Sequence, residues 1–121
     1  MTPATLEALA QALARLEPAV FQLADRDGVF ALYCEDKTQH LDNLICRLRT
    51  GEVDTDDDRL FGTIWRCAVA RGLQPAVEYY YDYVEALVRR NGQCLAKVEE
   101  GTPGVALALA YCAALGEKVS L

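Results

Sequence analysis

The sequence predicts an all-α fold, a single-domain helical bundle of about five to six helices over residues 1–121. Three observations predict it. Apolar residues recur at steps of three and four in several segments, helix-start and helix-stop residues bracket those segments, and no pair of alternating strands stands out.

The first helix opens at Thr2-Pro3, where the hydroxyl can cap orphan amides and proline gives up only an amide that has no partner anyway. Leu6, Leu9, Leu13 and Leu16 then form its apolar stripe. Pro18 interrupts the stripe, residues 18–24 read as a kinked resumption, and Asp25-Arg26-Asp27-Gly28 reads as a turn. The apolar run at residues 29–34 is assigned to helix because no other segment offers it a strand partner. Leu41, Leu44, Ile45 and Leu48 predict an amphipathic helix over residues 38–49, stopped by Gly51. A fourth helix is expected over residues 56–71, with Leu60, Ile64, Cys67 and Ala68 inward, Phe61 and Trp65 widening the stripe, and Gly72 as its stop. Pro75 opens the next, with Val77, Tyr80, Tyr81, Val84, Leu87 and Val88 on one face and Asn91-Gly92 as its end. Residues 94–98 remain open between helix and strand. Thr102-Pro103 repeats the opening of the chain, and the nearly all-apolar residues 105–115 predict the most buried helix.

Formal net charge is −6, and five of the acids (Glu52, Asp54, Asp56, Asp57 and Asp58) fall within seven residues that contain no base. The rest of the chain is close to neutral. A localised acidic patch disfavours nucleic acid and anionic membrane and favours a basic protein surface. As a bland alternative, the acids form a solvated loop that favours the start of the next helix. Read as exposed side chains, Asp54, Asp56, Asp57 and Asp58 should tolerate exchange for Lys without loss of fold. The longest apolar run is far short of the ~20 residues that span a bilayer, and the N-terminus lacks the basic lead of a signal peptide, so a cytoplasmic protein is expected.

The five cysteines (Cys34, Cys46, Cys67, Cys94 and Cys112) show neither C-x-x-C spacing nor an even count, which argues against a zinc site or a disulfide framework. Buried free thiols are expected. Asp54-Thr55-Asp56-Asp57-Asp58 places acids at the first, third and fifth positions of a calcium loop, but Arg59 stands where the glycine belongs and Trp65 where the glutamate belongs. Nothing else in the sequence calls for a metal or cofactor. His40 is the single histidine, and Ser120 is the single serine. No nucleophile elbow or glycine-rich phosphate loop accompanies them, so an enzyme or metal protein built on His40 ranks third among the functional readings.

In the run Tyr79-Tyr80-Tyr81-Asp82-Tyr83, helical periodicity sends Tyr80 and Tyr81 to the core. It sends Tyr79 and Tyr83 to a flank beside Arg90, a composition typical of interface hot spots. The competing reading is that neighbouring helices of the bundle cover these rings.

The opening Met1-Thr2-Pro3, the Glu35-Asp36-Lys37-Thr38-Gln39-His40-Leu41 entry to a Leu/Ile helix and the acidic turn after it resemble the small all-helical immunity proteins of type VI secretion, in particular those that block NAD-degrading toxins. The likeness covers roughly residues 1–75. It implies a bacterial cytosolic protein without catalysis that occludes the active site of a cognate toxin.

The leading expectation is thus a stoichiometric protein-binding inhibitor, or immunity protein, with no turnover and no cofactor. Its binding residues would be Glu52, Asp54, Asp56, Asp57, Asp58, Trp65, Tyr79, Tyr83 and Arg90. The partner would be a toxin enzyme with a basic cleft, since enzymes acting on nucleotides need cations for phosphate. The alternative is a secretion chaperone or adaptor that holds a partner segment in an apolar groove near Tyr79 and Tyr83.

Overall fold

Helix α1 (Pro3–Leu16) begins as its sequence dictates. Thr2 stands at the N-cap with extended backbone, its Oγ1 accepts the Thr5 amide at 3.2 Å, and Pro3 occupies the first turn. Leu6, Leu9, Ala10 and Leu13 are buried along one stripe. The structure, a computed structural model, describes residues 1–35 and 43–119. Beyond α1 it overturns the expected all-α helical bundle, because the described residues form three helices and two antiparallel sheets, a mixed α/β fold.

The chain does not resume a helix after Pro18. It enters strand β1 (Phe21–Arg26) and returns as β2 (Val29–Cys34), the run assigned to helix for want of a partner. That partner is the segment read as a kinked helix. Asp27 and Gly28, with φ of 54° and 82°, form the two-residue turn between them, which needs positive φ at both positions. β3 (Leu44–Arg47) and β4 (Asp54–Thr55) complete an antiparallel sheet in the order β1-β2-β3-β4. The helix expected over residues 38–49 is therefore a strand from Leu44 onward, and residues 36–42, His40 included, lie outside the described residues. Gly51 (φ 81°) serves a bend before β4 and stops no helix.

Two compact units divide the chain, Met1–Asp56 and Asp57–Lys118. In the first, strand alternation places Phe21, Leu23, Phe30, Leu32 and Cys46 on one face of the sheet. Arg49 ties α1 to that face: its Nε donates to Glu7 at 2.7 Å, and its guanidinium lies 4.2 Å from the centre of the Phe30 ring.

The second unit opens with α2 (Asp57–Ala70), close to the expected helix, with Leu60, Ile64, Cys67 and Ala68 buried. Gly72 (φ 74°) turns the chain, and the buried Leu73 donates its amide to Ala68 at 2.9 Å, closing the helix end. The helix expected from Pro75 to the Asn91-Gly92 end is instead a hairpin of β5 (Gln74–Tyr79) and β6 (Val84–Arg90). Asn91 and Gly92 (φ 52° and 78°) do not end a helix; they turn β6 into β7 (Gln93–Glu100), which contains the open segment 94–98. The final helix, α3 (Pro103–Ala114), is buried from Gly104 to Cys112 and packs on α2 and all three strands. This unit is a three-stranded sheet, β5-β6-β7, layered with two helices. No helix among the described residues is long and apolar enough to cross a membrane.

The helical reading of residues 75–90 failed for a physical reason. Val77, Val84, Leu87 and Val88 sit at helical spacings, but β6 is buried on both faces from Val84 to Val88, and a doubly covered strand reads as a continuous apolar run. Valine and tyrosine, which dominate the segment, also fit a pleated surface better than a helix.

Candidate functional site

The hairpin puts the tyrosines at its tip. Tyr79 pairs with Val84 as the last rung of the β5–β6 ladder, and the Tyr80 amide donates to the Tyr83 carbonyl at 2.9 Å across the turn. Tyr79, Tyr80 and Tyr81 are 69%, 45% and 105% exposed, so neither Tyr80 nor Tyr81 is the core residue that a helix would have made of it. The Tyr80 and Tyr83 rings stack with centroids 4.7 Å apart and planes 13° from parallel. Tyr80 Oη donates to Glu78 Oε2 at 2.7 Å. This bond to a carboxylate, with the negative charge itself, pushes the Tyr80 phenol up to about 12.

Below the tip runs a row of acids that only the register reveals. Glu78 lies opposite Glu85, and Glu85 opposite Glu99, so three carboxylates cross the three strands in line on one face. Like charges directly opposite one another disfavour a sheet. Lys97 offsets part of this, its Nζ lying 3.2 Å from Glu85 Oε2, and the bond raises the Lys97 pKa. Glu85 itself is buried.

The other expected site residues disperse. Arg90 stands at the opposite end of β6, six residues beyond Val84 and so about 20 Å from the tyrosine tip at the strand rise. It does not flank Tyr79 and Tyr83. Trp65 is half-buried on α2, tilted against Phe61 with ring centroids 5.6 Å apart.

The acids of residues 52–58 belong to both units and carry several different structural duties. Glu52 is exposed in a bend, where its amide meets Thr50 Oγ1 at 3.4 Å. Asp54 receives Arg47 Nη1 at 2.8 Å across the β3–β4 pair. Asp56 donates its amide to the Ile45 carbonyl at 2.7 Å. Asp57 and Asp58 fall in the first turn of α2, and Asp58 is exposed. Asp57 accepts the Thr102 hydroxyl at 2.7 Å and the Gly104 and Val105 amides at 2.8 and 3.1 Å, capping the start of α3.

Four of the cysteines are buried as expected. Cys94 is exposed, its Sγ donating to the Ala96 carbonyl at 3.4 Å. Burial pushes the Cys46 thiol up to about 12. Among the described residues no group of three or more His, Cys, Asp or Glu side chains is placed to hold a metal ion. The chain matches no protein-family model, no curated protein and no solved structure.

Proposed function

We propose that the protein is a non-catalytic binding protein that docks a basic surface of another protein through the tyrosine hairpin. The exposure of Tyr79, Tyr80 and Tyr81 together at one tip carries this reading. Aromatic side chains left in water forfeit a large hydrophobic gain, and tyrosine is enriched where interfaces bury their anchors. The exposed Glu78, Asp82 and Glu99 near the tip select for cationic partners and speed their approach. The more specific form of the reading is an immunity protein that blocks a toxin enzyme with a phosphate-binding, cationic cleft. Of the acids expected to serve that role, Glu52, Asp54, Asp56 and Asp58 are exposed, Asp54 in a bond with Arg47, whereas Asp57 supports the fold.

The test is co-expression with the product of the neighbouring gene, followed by a growth assay and a pull-down. One-to-one capture that Tyr79→Ala and Tyr81→Ala abolish, with association slowing as salt rises, supports docking through the hairpin. Capture that survives both substitutions and ignores salt overturns it. Recovery of an unfolded client segment favours the chaperone or adaptor reading.

A further inference from the structure

A second site lies on the sheet of the first unit. Alternation puts Arg26, Val29, Tyr33 and Arg47 on the face opposite Phe21 and Leu32, and the register shift between Leu32 and Tyr33 sets Leu44 opposite Tyr33. The same face carries Ala24 and Ala31, paired across β1 and β2. Near the β1–β2 turn the long side chains of this face border a hollow. It measures about 300 Å³ and is lined by Arg26, Asp27, Val29, Tyr33, Leu44 and Arg47. That is the lower end of the size range for small-molecule sites.

The two arginines come from β1 and β3, on either side of β2, and each is held by a neighbour. The Arg26 guanidinium carbon sits over Tyr33, 3.9 Å from the ring centroid. The guanidinium carries five N–H donors, more than one ring contact engages. Arg47 gives Nη1 to Asp54 at 2.8 Å and keeps further donors on the same planar fork. Val29 and Leu44 supply apolar wall. Asp27, at the turn, and Asp54, on Arg47, balance the two arginine charges.

We infer that this hollow binds a small organic monocarboxylate, its oxyanion on the Arg26 and Arg47 forks and its apolar body against Val29 and Leu44. Planar guanidinium forks match a carboxylate in geometry and bind it more strongly than neutral donors do. Asp27 selects against multiply charged anions. The inference stands apart from the hairpin, which belongs to the other unit.

Titration of the isotope-labelled protein with benzoate, followed by NMR, tests it. Saturable shifts are expected at Arg26, Val29, Tyr33 and Arg47, with weaker ones for inorganic phosphate and none for benzamide, which has the same body without the charge. Arg47→Gln should weaken benzoate about tenfold or more, the loss typical of one charged hydrogen bond. Asp54→Asn, which removes the anion competing for Arg47, should tighten it, whereas Asp58→Asn, the same change of charge on α2, should leave it unaltered. Equal response to benzoate and benzamide, unchanged affinity in Arg47→Gln, or equal tightening by both Asp→Asn variants would overturn the assignment.

Discussion

The carboxylate of Asp57, in the first turn of α2, receives the backbone amide of Gly104 at 2.8 Å and so joins the start of one helix to the start of another 47 residues later. Gly104 is the residue that permits it. A Cβ built there would lie 2.6 Å from Asp57 Oδ1 and closer still to the Asp57 carbonyl oxygen. Thr102, the N-cap of α3 by position, makes no cap bond of its own and directs its hydroxyl to the same carboxylate. One negative side chain thereby satisfies amides at the positive end of α3 while favouring the positive end of its own helix.

Loss of this cap should destabilise the protein without touching any exposed surface. Asp57→Ala is expected to cost about 1–3 kcal/mol, and Asp57→Asn, which keeps an acceptor oxygen, less. Gly104→Ala should cost a comparable amount, because backbone rather than a flexible side chain must give way. Urea denaturation of the three variants measures this. Lysine at the exposed Asp58 should shift the midpoint little, whereas lysine at Asp54 would face Arg47 across β3–β4, so a charge reversal meant to probe binding must spare Asp57 and Asp54.

How much of this was legible in the sequence depends on the distance over which each feature is determined. α1, α2 and α3 follow from local signals: the Leu6, Leu9, Leu13 stripe, Thr2-Pro3, and the apolar run after Pro103. The strands needed a different signal. Asp27-Gly28 and Asn91-Gly92 are the dipeptides that favour two-residue hairpins, and each links two apolar runs; read that way they would have paired β1 with β2 and β6 with β7. The tyrosine run was visible as composition, but its exposure was not, since a helix sends Tyr80 and Tyr81 inward and a hairpin tip sends them out. The Glu78–Glu85–Glu99 row and the Asp57 cap exist only once register and long-range packing are known.

The cysteines should separate into two reactivity classes. At mildly alkaline pH a thiol-reactive disulfide reagent is expected to modify Cys94 rapidly and the buried four only as the protein unfolds. Modification of more than one thiol in the native state, at a rate independent of urea, would contradict the burial.

Cys46 also sets a direction for alkaline stability. Its thiol titrates near 9.0 when unfolded and is pushed up to about 12 by burial in the fold. The folded state therefore holds this proton more tightly. The corresponding stability is fully present below pH 9 and is lost as pH rises from there toward 12. Cys46→Ala should flatten that part of the stability profile, at the expense of a small cavity under β3. An unchanged alkaline slope in the variant would show that Cys46 is not its source.

Thr55, on the short strand β4 opposite Cys46, has a buried Oγ1 with no hydrogen-bond partner among the described residues. Valine has nearly the same shape without the hydroxyl, so Thr55→Val should be stabilising, by up to about 1 kcal/mol. A fall in the urea midpoint would mean that the hydroxyl has a partner in solution, such as a bound water.

Glu78 is where stability and binding should part company. It faces Glu85 across the hairpin, an unfavourable pairing, and it holds the Tyr80 hydroxyl at 2.7 Å. Glu78→Gln removes the charge but keeps an acceptor oxygen. The Tyr80 phenol, now beside a neutral group, should titrate closer to 10 than to 12, which NMR of the labelled ring carbon can follow. Relief of the carboxylate repulsion should raise the urea midpoint at neutral pH. If the hairpin meets a basic partner, the same substitution should weaken its capture and reduce its salt dependence. A residue whose replacement improves the fold but impairs association is kept for association. Should Glu78→Gln leave capture untouched while stabilising the protein, the acid row would lose its place in the interface and the exposed rings of Tyr79 and Tyr81 would have to carry it alone.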